Sequence, residues 1–204
     1  MVTLLPARCA GCGCAAEPVC AACAAGLRRP PPLPVPAALD ACAAAFAYEG
    51  VAREIVARLK YRNERAALPW LAAAMVASHR DELAHVHEVG LVTWVPASAA
   101  RRRAIGFDHG ELLARAVGRE LRLPASGLLT REPGGAQTGR GRAQRLAGPR
   151  LHAAPQRARG RSVLLVDDVR TTGATLSAAG SALRREGAVR VVGLTAAATP
   201  EPGR

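Results

Sequence analysis

Residues 162–176 read SVLLVDDVRTTGATL, and the fold turns on how that stretch is understood. Four aliphatic residues lead into two adjacent carboxylates, Asp167 and Asp168. A carboxylate at the end of an apolar run loses hydration and needs a metal, a cation or a polar ligand as partner. The residues that follow, Thr171-Thr172-Gly173-Ala174-Thr175, suit a turn that opens a helix. Such a turn offers backbone amides, hydroxyls and a permissive glycine to an anion. In open parallel sheets, ligands bind beyond the carboxyl ends of the strands, at helix N-termini. A strand, paired acids, a turn and a helix in that order match this arrangement. A capped helix after a strand would explain the threonines and the glycine, but not the paired acids.

The acids cannot face the anion. They are pure acceptors, suited to hydroxyl groups or to a magnesium ion. A ligand with a 5′-phosphate at one end and vicinal ribose hydroxyls beside it meets both demands, and phosphoribosyl pyrophosphate is such a molecule.

Outward from this stretch, strands and helices alternate, which predicts an α/β fold with a mainly parallel sheet. DACAAAFAYEG (residues 40–50) and GLVTWVP (residues 90–96) have strand character, and AVRVVGLTAAA (residues 188–198) forms a last strand. VAREIVARLKYR (residues 51–62) places Val51, Ile55, Val56 and Leu59 at helical spacing. ALPWLAAAMVASHRDEL (residues 67–83) and DHGELLARAVGREL (residues 108–121) are further helices, the second with Asp108 as its cap. TLSAAGSALRREG (residues 175–187) is a helix closed by Gly187.

The chain has 204 residues and a net charge of +12, room for one ordinary domain and a small appendage. Lys60 is the only lysine; the other basic residues are arginine. Residues 101–161 carry 14 basic and 4 acidic groups, a block that either faces phosphates or is simply a solvated surface. Within it, residues 130–161 have little periodicity and are rich in Gly, Pro and Arg. A long segment of that kind is read as a functional or disordered loop, here a mobile, anion-seeking lid. No apolar stretch is long enough to span a membrane, since AALPWLAAAMVA (residues 66–77) is too short and carries Pro69. No leader pattern is visible at the start, and the expected location is the cytoplasm.

Five of the six cysteines fall in CAGCGCAAEPVCAAC (residues 9–23). The pairs Cys9/Cys12 and Cys20/Cys23 form two CxxC knuckles, which together make a closed four-thiolate zinc site. Cys14 is a surplus thiol that could substitute for Cys12. Without an export signal, disulfides are disfavoured. The segment has too few large apolar residues for a core, so metal would supply most of its folding free energy. The organisation expected is a zinc knuckle at 1–27, a proline-rich linker at 28–39 built on RRPPPLPVP, and the α/β domain at 40–204. Cys42 is expected to pack as a small apolar residue.

VLLVDDVRTTGATL resembles the ligand-binding signature of type I phosphoribosyltransferases: aliphatic residues, Asp-Asp, two variable positions, then Thr, Thr-Gly and Thr. The resemblance implies that Asp167 and Asp168 are the catalytic pair holding the ribose hydroxyls. It also implies that Val169, Arg170, Thr171, Thr172, Gly173, Ala174 and Thr175 form the phosphoribosyl pyrophosphate loop, with Arg170 on a variable position. The cysteine knuckle, YEG, LKY (residues 59–61) and VP followed by RRRAIGFDHGELLA together resemble the ComF family. That family's members are phosphoribosyltransferase-like proteins linked to competence, the uptake of DNA. Where the family usually reads Arg-Gly-Phe-Asn-Gln, this chain has Ile105-Gly106-Phe107-Asp108-His109. The change removes positive charge beside the pyrophosphate end, and Arg101 to Arg103 stand ready to compensate.

In the type I fold the loop after the second strand approaches the pyrophosphate. That loop is Pro96-Ala97-Ser98 here, with Arg101 and Arg103 close by; a solvated arginine cluster opening a helix is the alternative. Lys60 is placed on the same side, either aimed at a phosphate or an accident of composition. Gln137 and Arg145 match the family's Q…R pattern loosely.

Three functions remain open. The first is a magnesium-dependent pentosyl transferase, with charge drawn off the pyrophosphate as the bond to C1′ breaks. The second is a non-catalytic competence factor that binds single-stranded DNA or a nucleotide, although Phe107 is the only aromatic residue in 101–161 and stacking platforms need several. The third is a sensor whose occupied pocket reorders residues 130–161 for a protein of the competence machinery.

Overall fold

A computed structural model of the chain describes residues 8–15, 17–62, 64–78, 90–132 and 149–199. After the cysteine-bearing turn and a short helix α1 (Ala21–Ala25) come β1 (Ala41–Ala47), α2 (Gly50–Arg62) and α3 (Leu68–Ser78). Next are β2 (Leu91–Trp94), α4 (Ala99–Ile105) and α5 (His109–Leu121). The chain continues through β3 (Leu129–Arg131), β4 (Leu151–Ala153), β5 (Ser162–Arg170), α6 (Ala174–Arg185) and β6 (Arg190–Ala198). Four strands form one sheet in the order β1-β6-β5-β2, and every neighbouring pair is parallel. This is the expected α/β architecture.

The unbroken apolar run of β5 follows from burial on both of its faces. Leu164 and Val166 join a core with Ile55 and Leu59 of α2, Leu71 and Met75 of α3, and Leu113 and Val117 of α5. Val163 and Leu165 point the other way and pack with Leu176, Ala179 and Leu183 of α6. The alternation has the period of two that a strand requires.

Three findings refine the reading from sequence. β5 does not stop at the acids but continues to Arg170, because β6 keeps pairing with it: Asp167 lies opposite Thr195, and Arg170 opposite Ala198. Residues 130–161 are not structureless where they are described. β3 and β4 pair antiparallel, Leu129 against Ala153 and Arg131 against Leu151, and Leu129 and Leu151 are buried in the α6-side core. Strands of three residues are too short to show a periodicity. Residues 133–148, including Gln137 and Arg145, lie outside the described residues, as does the end of the second expected helix beyond Ser78.

The cysteine turn and the proline-rich stretch are both tied to the sheet. Cys9, Ala10, Val19 and Cys23 are buried in the same core cluster as Ile55 and Val56 of α2. A Cβ built on Gly11 would lie 3.0 Å from the Val51 side chain, so the knuckle seats directly on α2. The carbonyl of Arg28 accepts the Ala47 amide at 2.8 Å, and the Pro34 carbonyl accepts a hydrogen bond from the Arg170 guanidinium. No helix among the described residues is long and apolar enough to cross a membrane.

Candidate functional site

The site forms at the carboxyl end of β5. Asp168 is buried and receives two cationic or polar groups from opposite sides. Lys60 Nζ, from the last turn of α2, stands 2.7 Å from its Oδ1. His109 Nε2, from the first turn of α5, stands 2.5 Å from its Oδ2. Burial works to raise the pKa of Asp168, but the His109 hydrogen bond and the Lys60 charge outweigh it and hold the carboxyl below the ordinary range. The sole lysine is thus paired with a carboxylate of the site. Apart from these two groups, His109 Nδ1 is buried with no hydrogen-bond partner among the described residues.

Asp167 behaves differently. Its Oδ1 accepts the backbone N–H of Asp168 at 2.9 Å, and its other oxygen has no hydrogen bond among the described residues. Burial and the neighbouring Asp168 charge push this carboxyl up to about 8. It is the acid with an open acceptor position, so a hydroxyl or a magnesium ion fits Asp167 better than Asp168. Magnesium is usually held by one or two carboxylates together with substrate phosphates, and one open carboxylate oxygen matches that pattern.

The Thr/Gly turn lies just beyond. Thr171 and Thr172 are exposed, and Gly173 caps α6 in the left-handed region at φ +76°. Thr172 Oγ1 accepts the Ala174 N–H at 3.4 Å. A Cβ at Gly173 would lie 3.0 Å from Pro36 Cγ, so glycine is required both by φ and by the close approach of the proline-rich stretch. Ala174 and Thr175 open α6, where the first backbone amides have no intrahelical partners and the dipole favours an anion. Val169 is in β5 and packs against the α2-side core. Arg170 donates to the Pro34 carbonyl, and its Nε stays close to the turn, 3.7 Å from where a Cβ on Gly173 would lie.

The loop after β2 is closed by its own contacts. Ser98 Oγ accepts the Arg101 N–H at 3.2 Å and caps α4. The Ala97 N–H donates to Asp108 Oδ2 at 2.9 Å, while Asp108 Oδ1 caps α5 by accepting from Gly110 and Glu111. Thus Asp108 is consumed in joining Pro96-Ala97-Ser98 to α5 and is not a loose negative charge. Arg101 Nη2 donates to Tyr61 Oη at 3.2 Å, its guanidinium 5.8 Å from the ring centroid. Arg103 is exposed. The structure brings Asp167, Asp168, Lys60 and the 171–175 turn together. The loop and Arg101 connect to them through α2 and α5.

Sequence reasoning missed His109 and Tyr61 as members of this assembly. His109 entered only as a departure from a pattern; its signal was its place one residue after a helix cap. Tyr61 is the neighbour of Lys60 and is 66% exposed, unusual for an aromatic residue.

The thiol cluster is at the far end of α2. Cys9, Cys12, Cys14 and Cys20 have sulfurs all within 4.8 Å of one another. A tetrahedral zinc site with bonds of about 2.3 Å has sulfur–sulfur edges of about 3.8 Å, and Cys12 Sγ lies 3.8 Å from Cys20 Sγ. Cys9 Sγ accepts the Gly11 and Cys20 amides at 3.4 and 3.3 Å. Burial opposes charge at Cys9, but these amides and that of Cys12 prevail and bring the thiol down to about 5. The donors suit zinc. Cys14, expected as the surplus thiol, lies in the compact set, and Cys23 is buried beside it, close to Gly11.

Comparison with solved structures gives partial superpositions. The allosteric regulatory enzyme of purine biosynthesis aligns at 22% identity with a TM-score of 0.45, covering 63% of this chain and 25% of that one. Glutamine phosphoribosylpyrophosphate amidotransferase from B. subtilis aligns at 24% identity and 0.42, covering 62% and 25%. Purine phosphoribosyltransferase from Pyrococcus horikoshii Ot3 aligns at 16% identity and 0.39, covering 60% and 71%. The match thus spans a quarter of the length of the first two. No curated protein matches the chain. Residues 108–202, a little under half of the chain, match the family model of the phosphoribosyl transferase domain, and that domain is what the stretch from α5 through β6 is similar to.

Proposed function

We propose that the chain is a ComF-like protein of the phosphoribosyltransferase family that binds magnesium phosphoribosyl pyrophosphate and transfers its pentosyl group to a nitrogen nucleophile. The observation that carries this is the pairing of Asp167 and Asp168 with the Gly173 turn at one strand end. An open carboxylate oxygen lies at the same strand end as the first amides of α6, of which that of Ala174 is held by Thr172 Oγ1, and Lys60 and His109 fix the second carboxylate. The 5′-phosphate would lie on the amides of residues 171–175, and the ribose hydroxyls would donate to Asp167. Magnesium, when bound, neutralises charge on the pyrophosphate. Arg102 and Arg103 are the exposed basic side chains nearest in sequence to the loop after β2, and they would share that task. Catalysis would rest on positioning and charge stabilisation. The link to DNA uptake rests on the family resemblance, and zinc at the thiol cluster is part of the same proposal.

A second reading, non-catalytic binding of single-stranded DNA, is favoured by the exposed Arg102, Arg103, Arg115, Arg119 and Arg122 on and after α4 and α5. Tyr61 is the only large aromatic exposed among the described residues, so stacking would contribute little and affinity would fall steeply with salt.

Calorimetric titration of magnesium phosphoribosyl pyrophosphate separates the readings. Micromolar binding is expected for the wild type, weakened at least about tenfold by Asp167→Asn and by Thr171→Ala/Thr172→Ala, since one lost charge-assisted hydrogen bond is worth about that factor. The two threonines are exposed, so their removal spares the core. Wild-type protein that is folded and zinc-replete yet ignores the ligand, while binding an oligonucleotide with a steep salt slope, would establish the second reading instead.

A further inference from the structure

The cysteine turn holds more sulfur than a tetrahedral ion can use. Cys9, Cys12, Cys14 and Cys20 form the compact set, and Cys23, also buried in the knuckle, belongs to the second CxxC pair. Four positions are therefore contested by five thiols. The surplus is not spread evenly through the cluster. Cys12 and Cys14 are exposed, while Cys9 and Cys23 are buried.

The distance between the exposed pair is the unusual one. Cys12 Sγ and Cys14 Sγ are 3.2 Å apart, closer than the edge of about 3.8 Å that two ligands of one zinc ion adopt. The backbone imposes this approach. The Cys9 amide donates to the Cys14 carbonyl at 2.9 Å, the Gly13 amide donates to the Cys9 carbonyl at 2.8 Å, and Arg8 bridges Ala15. Between the two cysteines, Gly13 takes φ +80°, a conformation that residues with a Cβ rarely adopt. The tight turn brings both side chains to one side. Closing a disulfide requires the sulfurs to come to about 2.05 Å, a further approach of about 1.2 Å that side-chain rotation can supply.

We propose that Cys12 and Cys14 are the oxidisable pair of this cluster: a peroxide closes them into a disulfide, which withdraws Cys12 from the ligand set and releases zinc. The proposal rests on the zinc reading above. In the first step the exposed Cys12 thiolate reduces one hydrogen peroxide, becoming a sulfenic acid and releasing hydroxide, which takes a proton from solvent to become one water. The Cys14 thiol then attacks the Cys12 sulfur, and the sulfenic oxygen departs with the Cys14 proton as a second water. The two sulfurs lose two electrons, and one peroxide becomes two waters. On this proposal Cys14 is dispensable for holding the ion, since buried Cys23 of the second CxxC pair would take the fourth place beside Cys9, Cys12 and Cys20. It is indispensable for the response.

The test uses the full zinc-loaded chain. Zinc content is measured first, then its release on adding hydrogen peroxide, followed with a chromophoric chelator, and the linked peptides are mapped by mass spectrometry. The expected result is one zinc per wild-type chain, release on oxidation, and a Cys12–Cys14 linkage lighter by two hydrogens. Cys14→Ser is expected to bind one zinc as well, but to release it at least tenfold more slowly. A wild type without zinc overturns both the zinc reading and this proposal. Zinc bound normally, but released from Cys14→Ser at the wild-type rate, overturns the proposal alone. So does loss of zinc from Cys14→Ser before any oxidant, or a wild-type linkage joining other cysteines.

Discussion

Replacing Lys60 by methionine strands a carboxylate in the core, and the structure fixes how severe that should be. Lys60 Nζ and Asp168 Oδ1 are 2.7 Å apart, with side chains only 10% and 8% exposed, so solvent screens the pair little. At an effective dielectric of about 20, the attraction is about 6 kcal/mol, much of it offset by the cost of desolvating both ions. Removing one partner of a buried pair typically costs about 3–5 kcal/mol, because the other charge stays behind unpaired. His109 still bonds the second oxygen of Asp168, which places the expected loss near the low end, about 3 kcal/mol. For a chain of this size that corresponds to a drop of about 6–12 °C in Tm. Adding Asp168→Asn to Lys60→Met removes the stranded charge, so the double variant should be more stable than Lys60→Met by at least about 1 kcal/mol. Urea denaturation of the wild type, both single variants and the double variant measures all four corners. Strict additivity, or a Lys60→Met variant within about 0.5 kcal/mol of wild type, would refute the idea that this lysine neutralises Asp168.

Two other perturbations read the neighbouring groups. The Asp167 carboxyl is raised from its ordinary value of 3.8 to about 8, so between those values the folded chain keeps a proton that the unfolded chain has released. Stability should therefore fall as pH rises from about 4 to about 8, and Asp167→Asn should flatten that slope in denaturation curves taken across the window; an unchanged slope would rule Asp167 out as its source. Gly173→Ala forces a Cβ into the left-handed region at φ +76° and to 3.0 Å from Pro36 Cγ. The expected cost is about 1–2 kcal/mol, read by thermal melting, together with loss of phosphoribosyl pyrophosphate binding in calorimetry; a variant that melts and binds like wild type would show that the turn tolerates a side chain.

The sheet and the Thr/Gly turn were legible because each rests on local pattern. An aliphatic strand, paired acids and a Thr/Gly turn are contiguous in sequence, and burial of both faces of β5 leaves a run that only a central parallel strand explains. Charge partners were not legible. Lys60 lies 108 residues before Asp168 in sequence, and its side chain could be oriented only once α2 was seen packed against the sheet through Ile55, Val56 and Leu59. The binding of the proline-rich stretch was hidden for a similar reason. Its contacts run from the Pro34 carbonyl to Arg170 and from Pro36 to Gly173, and a backbone carbonyl has no sequence signature. The β3–β4 ribbon escaped because three residues are too few to display alternation.

Asp108 and His109 are better understood as a pair than as two separate departures. A negative charge at residue 108 would weaken an anion site if it stayed free, yet its oxygens are bonded to the amides of Ala97, Gly110 and Glu111. At a helix N-terminus that charge is also favoured by the dipole. It therefore stiffens the junction between the loop after β2 and α5, and that junction sets the position of His109. His109 in turn meets Asp168 opposite Lys60, so two donors fix one carboxylate. The cost falls on the other side of the site. Ile105 brings no charge, and Arg101 is bonded to Tyr61, so on the proposed reading a pyrophosphate would have to rely on exposed arginines such as Arg102 and Arg103. On the proposed reading, affinity is then anchored where the 5′-phosphate and ribose bind, on Gly173 and Asp167. Pentosyl transfer needs charge withdrawn from the departing pyrophosphate, so it is turnover, more than binding, that these substitutions weaken.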